Sequence, residues 1–260
     1  MAGSIVLVGS GEFSPSMEAI DRALLVATGR ARPRVAIIPT ASWPDGEAVF
    51  RRWIEQGTAH FESLGAEVEC VELRVRGDAL DDACAQAIGE ADLVYLSGGK
   101  PDHLLATLAG TPAAAAIRAV HQRGGIVAGC SAGAMVLAAH LPRVVRRRFL
   151  RFPMGWRDAL GLVPGAAVLP HYDAFPEVLA LAAVLAAPRR TAVLGIDEDT
   201  AVVGRDGAWR VEGRGRVTVW HGRRRARHRD GEWFRLDEPS GPAQLAEAAP
   251  PWDAEVVDDR

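Results

Sequence analysis

Residues 124–135 read GGIVAGCSAGAM, and within them Gly129-Cys130-Ser131-Ala132-Gly133 fits the pattern G-x-S-x-G. The pattern has chemical content only where a strand hands over to a helix. The apolar run before it, GIVAG (125–129), is short enough for a strand, and the residues after it suit a helix. A residue on such a turn sits in strained backbone, so side chains two positions away on either side must be absent. The glycines frame Ser131, not Cys130, as the residue lifted above the sheet edge. Cys130, one position early, is expected to turn into the fold. A hydroxyl placed at 131 stands at a helix N-terminus, where the dipole and free N–H groups favour developing negative charge.

Working outward, short apolar runs alternate with segments of helical period. SIVLVG (4–9), RVAIIPT (34–40), VECVEL (68–73) and DLVYLSGG (92–99) read as strands, with GIVAG as the fifth. Between them the spacing predicts helices over about 16–28, 46–64, 79–90, 102–108 and 112–123. Strand alternating with helix predicts an α/β fold with a mostly parallel sheet and helices on both faces. After residue 140 the rhythm changes. AAVLPHY (166–172) and TAVLGID (191–197) suggest further strands around a helix at 176–187. Asp206-Gly207 between AVVGR and AWRVEG signals a hairpin, and RVTVWH (216–221) adds a strand, so the chain ends in a β-hairpin extension. The reading is one catalytic domain over 1–236, β-rich from about 201, then a Pro/Ala-rich acidic tail over 237–260.

Composition narrows the function classes. The 260 residues carry a net charge of −3, which predicts no nucleic-acid partner. Two arginine-rich stretches, 143–151 and 221–230, read as solvated arginines. The three cysteines, Cys70, Cys84 and Cys130, lack the spacing of a disulfide framework or a structural zinc site. No apolar run reaches bilayer length, and the first residues lack a basic start. The expectation is a cytoplasmic chain with no membrane partner.

Other residues group around Ser131 by their place at strand ends. SGGK (97–100) supplies Gly98, Gly99 and Lys100 directly after a strand, so the N–H groups of Gly99 and Ala132 are candidate oxyanion donors. Gly98, Lys100 (the chain's one lysine) and Glu12, in the loop after the first strand, are candidate substrate contacts. LPHYD (169–173) places His171 at the edge where ligands bind in open α/β sheets, the candidate general base. His103 could line the pocket; His60, His121, His140, His221 and His228 are expected to face solvent. For the acid that orients His171 there are three candidates: Asp173, Asp158 and Glu198. Asp173 is favoured, because residues two apart on a strand share a face.

The segments YLSGGKPDHLLATLAGTP (95–112), GGIVAGCSAGAMVLA (124–138), LGLVPGAAVLPHYD (160–173) and LGIDEDTAVV (194–203) resemble the serine peptidase family containing cyanophycinase and aspartyl dipeptidase (peptidase E). That family lies within the class I glutamine amidotransferase-like superfamily. The similarity runs over roughly residues 4–205. It implies a flavodoxin-like α/β fold, Ser131 as nucleophile, His171 as base, and hydrolysis of small peptide or amide substrates at aspartyl residues with no metal and no cofactor; it also allows a homodimer. The sequence departs from the resemblance in two places. No arginine follows His171 in HYDAFPEVLALAA, and no carboxylate lies in RRRFLR after the serine. In glutamine amidotransferase relatives a glutamate stands two residues after the histidine, the spacing of His171-Tyr172-Asp173. The leading reading is hydrolysis of peptide or isopeptide bonds through an acyl-enzyme on Ser131. The alternatives are an amidase, esterase or acyl-transfer enzyme on the same fold, and a non-catalytic binding module.

Overall fold

The computed structural model describes residues 2–147, 150–174 and 176–236. The expected acidic tail and part of the first arginine-rich stretch lie outside the described residues. The first half is the alternation read from the sequence. Strands β1 (Ile5–Val8), β2 (Arg34–Ile38), β3 (Glu67–Cys70), β4 (Leu93–Leu96) and β5 (Ile126–Cys130) are all parallel, in the order β3-β2-β4-β5-β1. Every residue of β1, β4 and β5 is buried, as expected of strands covered on both faces. Helices α1 (Glu18–Ala27) and α2 (Glu47–Ser63) cover one face through Ile20, Leu24, Leu25 and Phe61, packed on Val6, Val8, Ile37 and Tyr95.

The expected helix over 79–90 is two pieces, α3 (Arg76–Ala79) and α4 (Asp82–Gly89). Asp78 accepts from the Arg74 and Val75 N–H groups and Asp81 from that of Ala83, so a carboxylate caps the N-terminus of each piece. Helices α5 (Pro101–Leu108) and α6 (Pro112–Gln122) each begin on proline, and Thr111 caps α6 by accepting from Ala114.

The second half builds a second sheet that the sequence reading does not contain. After α7 (Ala132–Leu137) come β6 (Ala138–Arg147), β7 (Leu150–Asp158), β8 (Val163–Leu169), α8 (Glu177–Leu185) and β9 (Ala192–Ile196). The chain then continues through β10 (Thr200–Arg205), β11 (Ala208–Gly213), β12 (Arg216–His221), β13 (Arg224–Arg229) and β14 (Trp233–Arg235). Strands β10, β11 and β14 extend the first sheet beyond β1, each antiparallel to the strand before it; β13-β12-β9-β8-β6-β7 form a separate six-stranded sheet. Asp206 and Gly207 join β10 to β11 with φ of 50° and 81°, the pair of positive values a type I′ hairpin turn requires. The stretch 221–230 forms edge strand β13 with its arginines exposed, and the Arg225 guanidinium lies 5.2 Å from the Trp220 ring centroid.

The largest core lies between the sheets: Leu7, Leu96, Val127 and Val202 face Ala166, Val168, Leu194 and Val217, with Ala134, Val136 and Leu137 of α7 between them. This sandwich brings the ends of β8 and β9 to the C-terminal edge of the parallel sheet. A tight contact beside it is at Gly133, where an added Cβ would stand 2.2 Å from the Leu96 carbonyl oxygen. Gly133→Ala is expected to destabilise by about 1–3 kcal/mol through overpacking against backbone. Gly77→Ala, in a helix with open space around it, is expected to be neutral or mildly stabilising. Denaturant midpoints of the two variants check this contrast.

Candidate active site

Ser131 is the hinge of the site. Its backbone stands at φ 48° and ψ −104°, between the end of β5 and the first residue of α7. A non-glycine residue in such a conformation costs on the order of 1–3 kcal/mol and persists only where its surroundings fix it. Here the Ser131 N–H donates to Val8 O at 2.9 Å and its carbonyl accepts from Met135 at 3.0 Å. A Cβ at Gly129 would meet the backbone of Gly133 and Ala134 at 2.5–2.8 Å, so the turn closes only with glycines on both sides.

The serine hydroxyl meets an imidazole. Ser131 Oγ lies 3.1 Å from His171 Nε2, and His171 Nδ1 lies 2.7 Å from Glu198 Oε1. With the carboxylate accepting from Nδ1–H, Nε2 is left as acceptor for the serine hydroxyl. His171 follows β8 and Glu198 follows β9, neighbouring parallel strands of the second sheet. His171 is itself at φ 52°.

The carboxylate that meets His171 is that of Glu198, where Asp173 was expected. A three-residue 3-10 turn, Tyr172–Ala174, begins directly after His171, so positions 171 and 173 do not share a strand face. Asp173 Oδ1 instead accepts the backbone N–H of Glu198 at 3.0 Å. Asp158 is far more exposed and pairs with His140 Nδ1 at 3.3 Å. Glu198 stood among the candidates, but its distance of 27 residues from His171 hid the pairing, which only the β8–β9 register creates.

The loops after β1 and β4 lie beside the elbow. Glu12 Oε1 accepts the Gly98 N–H at 2.8 Å, and Glu12 Oε2 lies 2.7 Å from Cys130 Sγ, which donates. Glu12, expected as a substrate contact, thus has both oxygens engaged in tying three strand ends together. Gly98 is close enough to the nucleophile that an added Cβ would lie 3.5 Å from Ser131 Cβ. The N–H groups of Gly99 and Ala132 have no acceptor among the described residues. Lys100 Nζ pairs with Asp45 Oδ1 at 2.9 Å, and its N–H bonds Ala41 O. His103 is directed elsewhere, its Nε2 2.8 Å from Arg74 O. His60 is not on the surface as expected: it lies on the inner side of α2, paired with the buried Asp21 of α1 at 2.8 Å. Burial, the largest influence, raises the Asp21 carboxyl above the ordinary carboxylate range.

Cys130 is fully buried, as its place one residue before the turn predicts. Burial first, and then the adjacent Glu12 carboxylate, push its thiol well above the usual range. Among the described residues no cluster of His, Cys, Asp and Glu could hold a metal ion, and no single helix is long and apolar enough to cross a membrane.

Residues 5–211 match the description of peptidase family S51. The chain belongs to that family. A peptidase from an acI-B1 Actinobacterium has a similar solved structure, with TM-score 0.80 and 31% identity over 90% of this chain and 97% of that one. The uncharacterized peptidase Lin0382 of Listeria innocua is 34% identical over 147 residues, which cover 55% of this chain and 66% of that relative's length. A putative peptidase E protein from Listeria monocytogenes EGD-e shares the fold, with TM-score 0.56 and 21% identity over 83% of this chain and all of that one. Membership in S51 makes the chain a peptidase-family hydrolase on a flavodoxin-like α/β fold, as its motifs imply.

The two residues at the elbow are chemically separable. At pH 8 iodoacetamide is expected to modify the partly exposed Cys70 and Cys84 well before Cys130, which should react only on unfolding. Peptide mapping of the native and denatured protein reads this order directly.

Proposed function

We propose that the protein hydrolyses peptide bonds in small peptides through an acyl-enzyme on Ser131. The observation that carries the reading is the continuous chain Ser131 Oγ, His171, Glu198, with contacts of 3.1 and 2.7 Å, hung on a strained turn. His171 Nε2 takes the serine proton as Oγ attacks the scissile carbonyl. Glu198 accepts from Nδ1–H throughout and stabilises the imidazolium that forms. The oxyanion forms beside the N–H groups of Gly99 and Ala132, one from the β4 loop and one from the first turn of α7. Removing one such donor typically costs on the order of 10²–10³ in rate. The imidazolium then gives its proton to the leaving amine. Water repeats the cycle on the acyl-enzyme with the same base.

The reading that the chain is a degenerate, non-catalytic relative draws its motive from the missing acid after the serine. Glu198 supplies a carboxylate from elsewhere in the chain, and that motive falls away. For substrate choice, Lys100 is the group next to the oxyanion loop with a charge to offer. In this reading Lys100, which precedes α5, exchanges its ion pair with Asp45 for a substrate carboxylate. This supports acidic small peptides, in keeping with the resemblance to aspartyl dipeptidases.

Ser131→Ala is expected to lower turnover at least about 10³-fold on a panel of dipeptides that includes N-terminal Asp and β-aspartyl members. Lys100→Ala is expected to raise KM for the acidic members with kcat little changed. Equal turnover by Ser131→Ala and parent, measured by release of free amino acid, would refute the proposal.

A further inference from the structure

We infer that Asp173 is a positioning residue: it latches the histidine-bearing segment to the glutamate-bearing turn and so fixes the Glu198 carboxylate on His171. The inference rests on the catalytic reading above but concerns a residue outside the Ser131–His171–Glu198 chain. Three observations carry it. First, Asp173 Oδ1 accepts the Glu198 backbone N–H at 3.0 Å, joining two segments 25 residues apart in sequence. Second, the turn that bears Glu198 is pinned on both sides by acidic residues whose side chains are already committed. Asp197 Oδ2 accepts from the Arg216 N–H at 3.0 Å, and Asp199, at φ 50°, accepts from Ser16 Oγ at 2.7 Å. The Glu198 N–H between them goes to Asp173. Of three consecutive acidic residues, only the middle side chain is left to face the imidazole.

Third, the segment His171-Tyr172-Asp173 divides its work. His171, at φ 52°, reaches the serine. Tyr172 lays its ring over Gly195 of β9, so closely that an added Cβ there would stand 2.2 Å from the ring, and its hydroxyl accepts from Trp220 Nε1 at 2.9 Å. Asp173 then ties the end of the segment to Glu198. Tyr172 fixes the segment against the second sheet, and Asp173 fixes it against the carboxylate. Left-handed backbone at a non-glycine residue needs such anchoring on both sides to persist. Both side chains of the His171–Glu198 pair are partly exposed, with relative accessibilities of 42% and 49%, so burial alone does not hold them in register. A backbone latch supplies the order that packing does not. Misplacing a catalytic pair by about an ångström can cost on the order of a hundredfold in rate.

The test separates the latch from charge and from general stability. Asp173→Ala removes the acceptor; Asp173→Asn keeps an oxygen on the Glu198 N–H and removes only the charge. The alanine variant is expected to lose about tenfold to a hundredfold in kcat with KM within about twofold. The asparagine variant is expected to stay within about threefold of the parent. Ring 15N shifts of His171, read without substrate, should report the Nδ1–H tautomer in the parent and in Asp173→Asn. They should drift toward the Nε2–H tautomer in Asp173→Ala. Should Asp173→Ala not be recovered folded, Asp173→Ser, whose hydroxyl is too short to span the gap, carries the same expectation. Parent kcat and tautomer in the alanine variant would overturn the inference, as would an asparagine variant impaired as far as alanine. The tautomer is read on the resting protein, so it tests the latch even if the parent turns over no peptide in the panel.

Discussion

The site depends on one backbone conformation. Ser131 is held at positive φ by two glycines with no room for a side chain, by the Val8 carbonyl on its N–H, and by the start of α7 beyond it. Move that residue into ordinary helix or strand geometry and its hydroxyl no longer faces the imidazole. Cys130, its neighbour, shows the alternative fate: one residue earlier, the side chain points into the core and donates to a carboxylate. The sequence dipeptide Cys-Ser thus splits into a buried thiol donor and a half-buried hydroxyl that meets His171, through backbone geometry alone.

Two sheets meet at that turn with separate duties. The parallel sheet offers strand ends from β1, β4 and β5, which carry Glu12, the Gly98-Gly99 pair and Ser131. The second sheet offers the ends of β8 and β9, which carry His171 and Glu198. The Ser131 hydroxyl and the His171 imidazole therefore belong to different sheets, joined by α7 and the apolar layer between them. Glu12 serves the first set as Asp173 serves the second: each carboxylate binds a backbone N–H of a neighbouring loop and so fixes where strand ends lie. On this arrangement the stability of the inter-sheet core and the accuracy of the catalytic pair are coupled.

How far the sequence could be read follows from which interactions are local. The parallel half was legible because β1, β2, β4 and β5 are continuous apolar runs separated by helical periods, and the elbow because its glycines lie within five residues of one another. Ser131 and His171 were legible for the same reason, each marked by its own strand end. The second sheet was not. Its first hairpin, β6–β7, runs through an arginine-rich stretch whose composition suggested only solvation, and strand pairing between distant segments leaves no local trace. The acid was misassigned on the same ground. Asp173 stands two residues from His171, but a 3-10 turn rotates it away; Glu198 lies 27 residues on and arrives only through the register of β8 on β9.

The most direct measurement is the position of a single covalent bond. A fluorophosphonate reacts with an activated hydroxyl and reports which side chain at the elbow carries nucleophilic character. Treatment of the native protein followed by digestion and mass spectrometry should show one adduct, on Ser131, and none on the adjacent sulfur. An adduct on Cys130, or no adduct while the protein remains folded, would contradict the account.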